Sequence, residues 1–105
     1  MGNRPPEAGI RVPPSVLRDF VQKLFAGAGM RDEDAQTMAD LLVATDLRGV
    51  VSHGVNSVER YVRSFREGSA NTHPEVEILQ EGPVNAALNG DGGMGMMVAS
   101  RAMHM

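Results

Sequence analysis

The residues best suited to chemistry lie in one short segment, DLRGVVSHG at positions 46–54. His53 carries an imidazole, the side chain that ordinarily gains and loses a proton near neutral pH. Ser52 adds a hydroxyl beside it, and Arg48 adds a guanidinium whose planar fork matches a carboxylate. Asp46 is close enough in sequence to hold Arg48 in place, and the glycines at 49 and 54 let the backbone turn sharply. The segment is therefore a candidate functional site.

The same residues also have a purely structural explanation. A cation such as Arg48 near the end of a helix complements the helix dipole. Ser52 suits the N-cap of a following helix. A single histidine in a loop is usually exposed or structural, so the residue types alone favour this explanation over a catalytic one. Both interpretations stay open at this point.

A second candidate is the glycine-rich run GDGGMG at positions 90–95. It matches the G-x-G-x-x-G pattern, follows a predicted strand and precedes a predicted helix, as a dinucleotide-binding turn does. The acidic residue expected about 20 positions later would lie beyond Met105. Because 12 glycines in 105 residues make chance matches common, we favour a flexible turn in which Asp91 caps the last helix.

Two helices are predicted before the first candidate. Residues 1–14 form a flexible arm, after which Ser15 is a natural N-cap for a helix closed by the glycines at 27 and 29. Acids at 32–34 suit the start of a second helix, which should end at Gly49. Its wide apolar band predicts burial on two sides.

A third helix is predicted after the candidate segment. Apolar residues recur at helical spacing, and Gly68 ends the pattern. The cap is either Asn56, which could form a capping box with Glu59, or Ser52 one turn earlier. The apolar face consists of Val58, Tyr61, Val62 and Phe65.

The pattern then changes to that of strands. Residues 75–80 and 84–88 are strand candidates on either side of a Gly82-Pro83 turn, and could pair as a hairpin. Residues 97–105 form a last helix with a methionine-rich face. We expect an α/β or α+β fold, with a helical segment at 15–68 and the start of an α/β domain at 69–105. The abrupt end predicts that this is the first part of a larger fold.

Composition excludes several classes of function. There is no cysteine, so disulfides and thiolate chemistry are excluded. The net charge of −3 and the lack of basic runs argue against a nucleic-acid surface. No apolar stretch approaches the roughly 20 residues that span a bilayer, and the polar N-terminus lacks a secretory signal. The three histidines are isolated, so no metal site is expected. Because a membrane span and a secretory signal are lacking, we expect a cytoplasmic location.

Two blocks carry a resemblance. The segment at 46–54 is followed by RYV at 60–62, and NGDGGMG at 89–95 is followed by SRAM at 100–103. Their order and spacing resemble the malate/L-lactate dehydrogenase family, which also contains ureidoglycolate, sulfolactate and cyclic-imine reductases. The likeness runs from about Val12 to the end of the chain. Two positions depart from the usual pattern, with Ser57 where Arg is common and Met96 where Gln is common.

The resemblance implies an oxidoreductase that uses NAD or NADP to reduce 2-oxo acids or oxidise 2-hydroxy acids. It implies a fold unlike the classical Rossmann arrangement, and a homodimer. It places Ser52 and His53 at the active site, with His53 catalytic and Ser52 and Arg48 binding substrate. A further catalytic His and Lys, and most of the cofactor site, would lie beyond Met105, so this part alone should be inactive.

A different class of function stays open beside the enzyme. The apolar faces of the third and last helices cannot all be covered in so short a chain, because small domains bury proportionally less surface. Exposed apolar patches usually mark a partner surface. The alternative is therefore a non-catalytic binding or regulatory fragment that pairs with a full-length subunit or another protein, and we expect the isolated chain to self-associate or to be only loosely folded.

Overall fold

The computed structural model describes residues 9–105, and most of the predicted arm at 1–14 lies outside them. Four helices and one pair of strands make up the described chain. Two short 3₁₀ turns, Val51–His53 and Val55–Ser57, connect the second helix to the third. The elements are α1 (Pro14–Gly27), α2 (Asp32–Leu47), α3 (Val58–Glu67), β1 (Glu77–Glu81), β2 (Ala86–Asn89) and α4 (Gly95–Met103).

Helix α1 begins earlier than its sequence suggested. Pro13 occupies the N-cap and Pro14 the first helical position, so Ser15 lies inside the helix and its predicted role as a cap is wrong. Proline suits the first position because its fixed φ is helical and its missing N–H would have no partner there. The chain leaves the helix through Gly29, whose φ of +109° favours glycine.

Helix α2 follows its prediction closely. Three acids lie in its first turn, and the chain reverses at Gly49 with φ +82°. One face is fully buried, whereas Leu41 on another side is 38% exposed, so burial on two sides is only partial. The buried apolar residues are Ala35, Met38, Ala39, Leu42 and Val43.

Helix α3 has neither of the predicted caps. Ser57 occupies the N-cap position without a side-chain cap, and the 3₁₀ turn before it replaces a capping box. Gly68 ends the helix in the left-handed conformation, as predicted. The apolar face is mostly covered, since Val58 and Phe65 are buried and Tyr61 and Val62 pack partly against the core.

The strand pair is the predicted antiparallel hairpin, shifted by one or two residues. Glu77 pairs with Asn89 and Glu81 with Ala86, with an irregularity near Leu79. The tight turn is closed by Gly82 N–H donating to the Asn85 carbonyl at 2.8 Å. All five residues of β1 are exposed, so the hairpin projects away from the helical core.

One core joins all four helices. Phe25 of α1 and Phe65 of α3 meet edge to face with ring centroids 6.3 Å apart. Met97 of α4 is buried in the same cluster as Met38 and Leu42 of α2. Because Met97 packs with the helices that precede it, α4 is anchored to them. The division into a helical segment at 15–68 and an α/β domain from 69 stays a prediction.

A polar cluster holds α4 against α2. The Asp34 carboxylate is 5% exposed and accepts from Arg101 Nη2 at 2.8 and 2.9 Å. Arg31 Nη1 lies 3.5 Å from the same carboxylate. Both arginines also donate to the Pro74 carbonyl, at 3.0 Å from Arg31 and 3.3 Å from Arg101. A buried carboxylate needs such partners, because an unpaired charge is costly to bury.

Exposed apolar side chains lie on α1 and the hairpin more than on the predicted faces of α3 and α4. Phe20 is 59% exposed and Leu79 61% exposed, whereas Met97 and Phe65 are buried. The α3 and α4 faces are largely covered by packing on the core, so the expectation that they cannot all be covered holds only at the chain end, where Met105 is 64% exposed. Among residues 9–105, no helix combines the length and apolar character that crossing a bilayer requires.

Candidate functional site

The candidate segment forms the end of α2 and the two 3₁₀ turns that follow. Backbone hydrogen bonds order each turn, with His53 N–H donating to the Val50 carbonyl and Ser57 N–H to the Gly54 carbonyl, each at 3.1 Å. Gly54, buried, lies between the two turns. The segment is therefore ordered by local contacts and carries its histidine on a surface turn.

Ser52 and His53 are brought together. The Ser52 Oγ lies 2.7 Å from His53 Nδ1, and the imidazole is exposed. Either the hydroxyl donates to an unprotonated Nδ1, or a protonated Nδ1 donates to the hydroxyl, depending on the ring tautomer. In both cases the contact engages one ring nitrogen and directs Nε2 away from the serine. An imidazole held in this way can take up a proton on one ring nitrogen while the other stays in contact with the serine.

In the described part of the chain, Arg48 has no recorded contact with His53. It is the C-cap residue of α2 and is exposed. Among residues 9–105 the structure records no hydrogen bond or ion pair between Arg48 and His53. Its position fits the structural explanation, since a cation near a helix C-terminus interacts favourably with the dipole.

Asp46 has a different partner from the one expected. Its Oδ2 accepts from the Val55 amide at 3.1 Å, across nine residues. The described residues contain no ion pair between Asp46 and Arg48, so the idea that Asp46 holds Arg48 is wrong. The carboxylate turns instead toward the backbone of the second 3₁₀ turn, whose amide has no helical partner.

Ser57 follows in the same segment and is 7% exposed. It caps α3 through its backbone conformation and packs beside Val58, which is 6% exposed. A long cationic side chain at this position would have to leave the buried environment that the serine occupies. The departure from the usual Arg therefore coincides with a buried small side chain.

The glycine-rich run does not fit a dinucleotide phosphate. Asp91, at φ +54°, places its Oδ2 on the Glu75 amide at 2.9 Å and 3.2 Å from Asn71 Nδ2. A carboxylate at the centre of the loop would repel a pyrophosphate. The prediction that Asp91 caps α4 is also wrong, because Met94 is the N-cap and Asp91 binds the 71–75 loop.

The glycines of this run are explained by packing. A Cβ on Gly93 would lie 2.8 Å from Pro74 Cγ and 3.1 Å from Met97 Cε. A Cβ on Gly90 would lie 3.2 Å from both methyl carbons of Val98. Gly92 has a φ of +72°, which glycine adopts without strain. The run lets a tight turn press against the buried Pro74 and α4.

Sequence reasoning missed the contacts made across long separations. Nothing local indicated that Arg101 would reach Asp34, 67 residues earlier, or that Pro74 would be fully buried. The sequence offered one signal for the contact between Asp46 and the Val55 amide, namely an acid near the end of a helix and a glycine directly before Val55. No group of three or more metal-ligating side chains forms within residues 9–105.

The chain is similar in sequence to known proteins. A family model described as malate/L-lactate dehydrogenase matches residues 12–105. The malate dehydrogenase of Pyrococcus horikoshii is 43% identical over 96 residues, covering 91% of this chain and 27% of that protein. The ureidoglycolate dehydrogenase (NAD(+)) of Escherichia coli is 32% identical over 94 residues, covering 90% and 27%.

Solved structures agree with the sequence matches. The structure of the Pyrococcus horikoshii malate dehydrogenase superposes with a TM-score of 0.87 over 90% of this chain and 27% of that one, at 43% identity. The sulfolactate dehydrogenase of Methanocaldococcus jannaschii gives a TM-score of 0.86 at 30% identity, over 90% and 28%. Four helices with one antiparallel strand pair are thus a segment of a dehydrogenase fold.

The chain belongs to the malate/L-lactate dehydrogenase family, because the family match covers residues 12–105. It spans 27% of the length of the malate dehydrogenase it resembles. The predicted family and the predicted α+β fold, as a part of a larger architecture, are both confirmed.

Proposed function

We propose that this chain supplies the N-terminal part of an NAD(P)-dependent dehydrogenase that interconverts 2-hydroxy and 2-oxo acids, and that it is inactive without the remaining fold. Family membership supports the reaction class. The observation that carries the proposal is the family match over residues 12–105, and within it the exposed imidazole of His53, 2.7 Å from Ser52 Oγ, is the group offered for proton transfer.

His53 is the proposed acid and base of this reaction. Oxidation of a 2-hydroxy acid releases the hydroxyl proton, and reduction of a 2-oxo acid consumes one. In the tautomer that this role requires, Nδ1 is protonated and donates to Ser52 Oγ, so the unprotonated Nε2 accepts the proton in one direction and returns it in the other. When Nε2 accepts the substrate proton, the ring becomes an imidazolium with both nitrogens protonated, and Nδ1–H continues to donate to the serine oxygen.

Ser52 orients the imidazole, and Arg48 is the proposed contact for the substrate carboxylate. A guanidinium is suited to that role because its planar fork can donate two parallel hydrogen bonds. Its exposed position on the α2 C-cap leaves it available to a ligand. Bound NAD or NADP would supply the hydride chemistry, and no contact to it is assigned to the glycine-rich run.

A chimera tests this proposal. Residues 12–105 would replace the matching 27% of the Pyrococcus horikoshii malate dehydrogenase, to which the chain is 43% identical. We expect the chimera to turn over at least one 2-oxo acid with NADH or NADPH, and the isolated chain to show none. A chimera that unfolds cooperatively yet is inactive on every acid of a broad panel would contradict the proposal, as would turnover by the isolated chain that is lost on His53→Ala.

A second candidate is a non-catalytic fragment that pairs with another subunit, whether a copy of itself or a full-length dehydrogenase. It is supported by the exposed apolar residues of α1 and the hairpin, where Phe20 is 59% and Val84 95% exposed. Sedimentation velocity of the isolated chain tests it. We expect concentration-dependent association, reduced by Phe20→Ser, and a monomer at all concentrations would contradict pairing between copies of this chain and the homodimer that the resemblance implies.

A further inference from the structure

The 51–57 turns, defined here as the two 3₁₀ turns Val51–His53 and Val55–Ser57 with Gly54 between them, meet α2 at one carboxylate. Asp46 lies in the last turn of α2 and is half-buried. Its Oδ2 accepts the Val55 amide at 3.1 Å. Charge-assisted bonds of this kind are stronger than those between neutral groups.

The backbone at Gly54 is pressed against the same carboxylate. Gly54 is buried, and a Cβ built on it would overlap the Asp46 carboxyl group. The φ of Gly54 is −96°, so its backbone conformation does not by itself require glycine. Glycine is needed here for space. The absence of a side chain lets the carboxylate reach past Gly54 to the next amide.

These two contacts fix the residue that directly follows His53. The imidazole is carried by the first 3₁₀ turn, which its own N–H closes onto the Val50 carbonyl at 3.1 Å. On the other side, Asp46 holds Val55. His53 thus lies between a helix end and a backbone amide tied to that helix, and its direction depends on where Gly54 and Val55 are held.

We infer that Asp46 is a positioning residue, which sets the orientation of the Ser52–His53 pair by fixing Gly54 and Val55 against the end of α2. The significance for catalysis rests on the proposed role of His53, whereas the positioning itself does not. Among residues 9–105 no ion pair joins Asp46 to His53, and the recorded contact of Asp46 is with the backbone of the 51–57 turns.

The test uses the isolated chain and three variants. Asp46→Ala removes the acceptor, and Asp46→Asn keeps an oxygen that can accept the Val55 amide. Asp40→Ala is the matched control, since it removes an acid from the same helix. Among residues 9–105 the only ion pair of Asp40 is a 3.7 Å contact with Arg18. The measurements are hydrogen exchange at Val55 and the ring ¹⁵N chemical shifts of His53, which report tautomer and hydrogen bonding.

With Asp46→Ala we expect Val55 exchange to rise at least about tenfold and the two ring ¹⁵N signals of His53 to move toward those of an unconstrained histidine. Asp46→Asn restores both readings, and Asp40→Ala changes neither. Unchanged ring signals in Asp46→Ala, or a failure of Asp46→Asn to restore them, would overturn the inference.

Loss of the cooperative unfolding transition in Asp46→Ala would also overturn it, because Asp46 would then hold the whole fold and not the turns. None of these readings requires turnover, so they stand apart from the chimera assay. If the chimera is inactive while the ring signals respond as expected, the proposed function fails and the positioning role is retained.

Discussion

Two turns of this molecule place a hydroxyl residue directly before a histidine. Ser52 Oγ lies 2.7 Å from His53 Nδ1, and Thr72 Oγ1 lies 3.2 Å from His73 Nδ1. Both imidazoles are exposed. A contact between such neighbours is therefore a product of local geometry, and it does not by itself distinguish a functional site from an ordinary loop.

The two turns differ in how they are held. The loop around His73 is tied down repeatedly, since Pro74 is fully buried, its carbonyl accepts from two arginines and the Glu75 amide donates to Asp91. The 51–57 turns meet α2 at the Asp46 carboxylate, which accepts the Val55 amide and lies against the buried Gly54. The comparison indicates that the polar groups of the His73 loop serve the fold, whereas the 51–57 turns present the Ser52–His53 pair with fewer recorded contacts to the rest of the fold.

The largest expected difference is in activity. In the chimera with the Pyrococcus horikoshii enzyme, His53→Ala should lower kcat on the order of 100- to 10,000-fold, the range for loss of a general acid or base. His73→Ala is the matched control and should leave kcat within about twofold. Steady-state kinetics with one 2-oxo acid measures both. Equal losses from the two variants would remove the distinction between the turns.

The hydrogen bonds that hold the His73 loop can be removed at Arg101. Arg101→Ala removes the hydrogen bonds to Asp34 and Pro74, and should lower the free energy of unfolding by about 1.5–3 kcal/mol. In a chain of this size, each kcal/mol lost lowers Tm by about 4–8 °C. Calorimetry measures the change.

Arg63→Ala serves as the control for Arg101, because Arg63 pairs with Glu59, which is 85% exposed, and such surface pairs contribute about 0–1 kcal/mol. The His53 ring signals should stay unchanged in Arg101→Ala. A thermal shift no larger than that of Arg63→Ala would mean that the buried cluster does not hold the loop.

The contact between the 51–57 turns and Asp46 can be disrupted at Gly54. Gly54→Ala forces a Cβ onto the Asp46 carboxylate, and overpacking of this kind destabilises by about 1–3 kcal/mol. Gly27→Ala has open space around its Cβ and should be neutral or stabilising by up to about 1 kcal/mol. Urea unfolding of both variants measures the difference. Equal stability would show that the carboxylate moves aside without loss.

The smallest effect is expected at Asp91. Asp91→Gly permits the φ of +54° and removes the carboxylate that accepts the Glu75 amide, so the loss should be about 0.5–1.5 kcal/mol. Hydrogen exchange at Glu75 should rise, and Asp91→Asn should retain most of the protection. Faster exchange at Val55 in the same variant would contradict the independence of the two turns.

The helices and the hairpin were predictable because their signals are local. Apolar spacing, acids in a first turn and glycines at positive φ act over a few residues, and they located α2 and the C-terminal end of α3 closely. Errors arose where two local signals competed, as at Ser15, where the proline pair before it provides the start of α1. The family blocks were likewise readable as contiguous segments.

What the sequence by itself determined was the order of elements, the apolar faces and the residues offered for chemistry. Only the tertiary structure decided which polar groups meet. Asp34 joins Arg101 across 67 positions, Asp46 turns from Arg48 to the Val55 amide, and the glycine-rich run packs on Pro74. The physical reason is that a polar group pairs with whatever the packed core brings within about 3 Å, and that proximity depends on how helices stack, which no local pattern encodes.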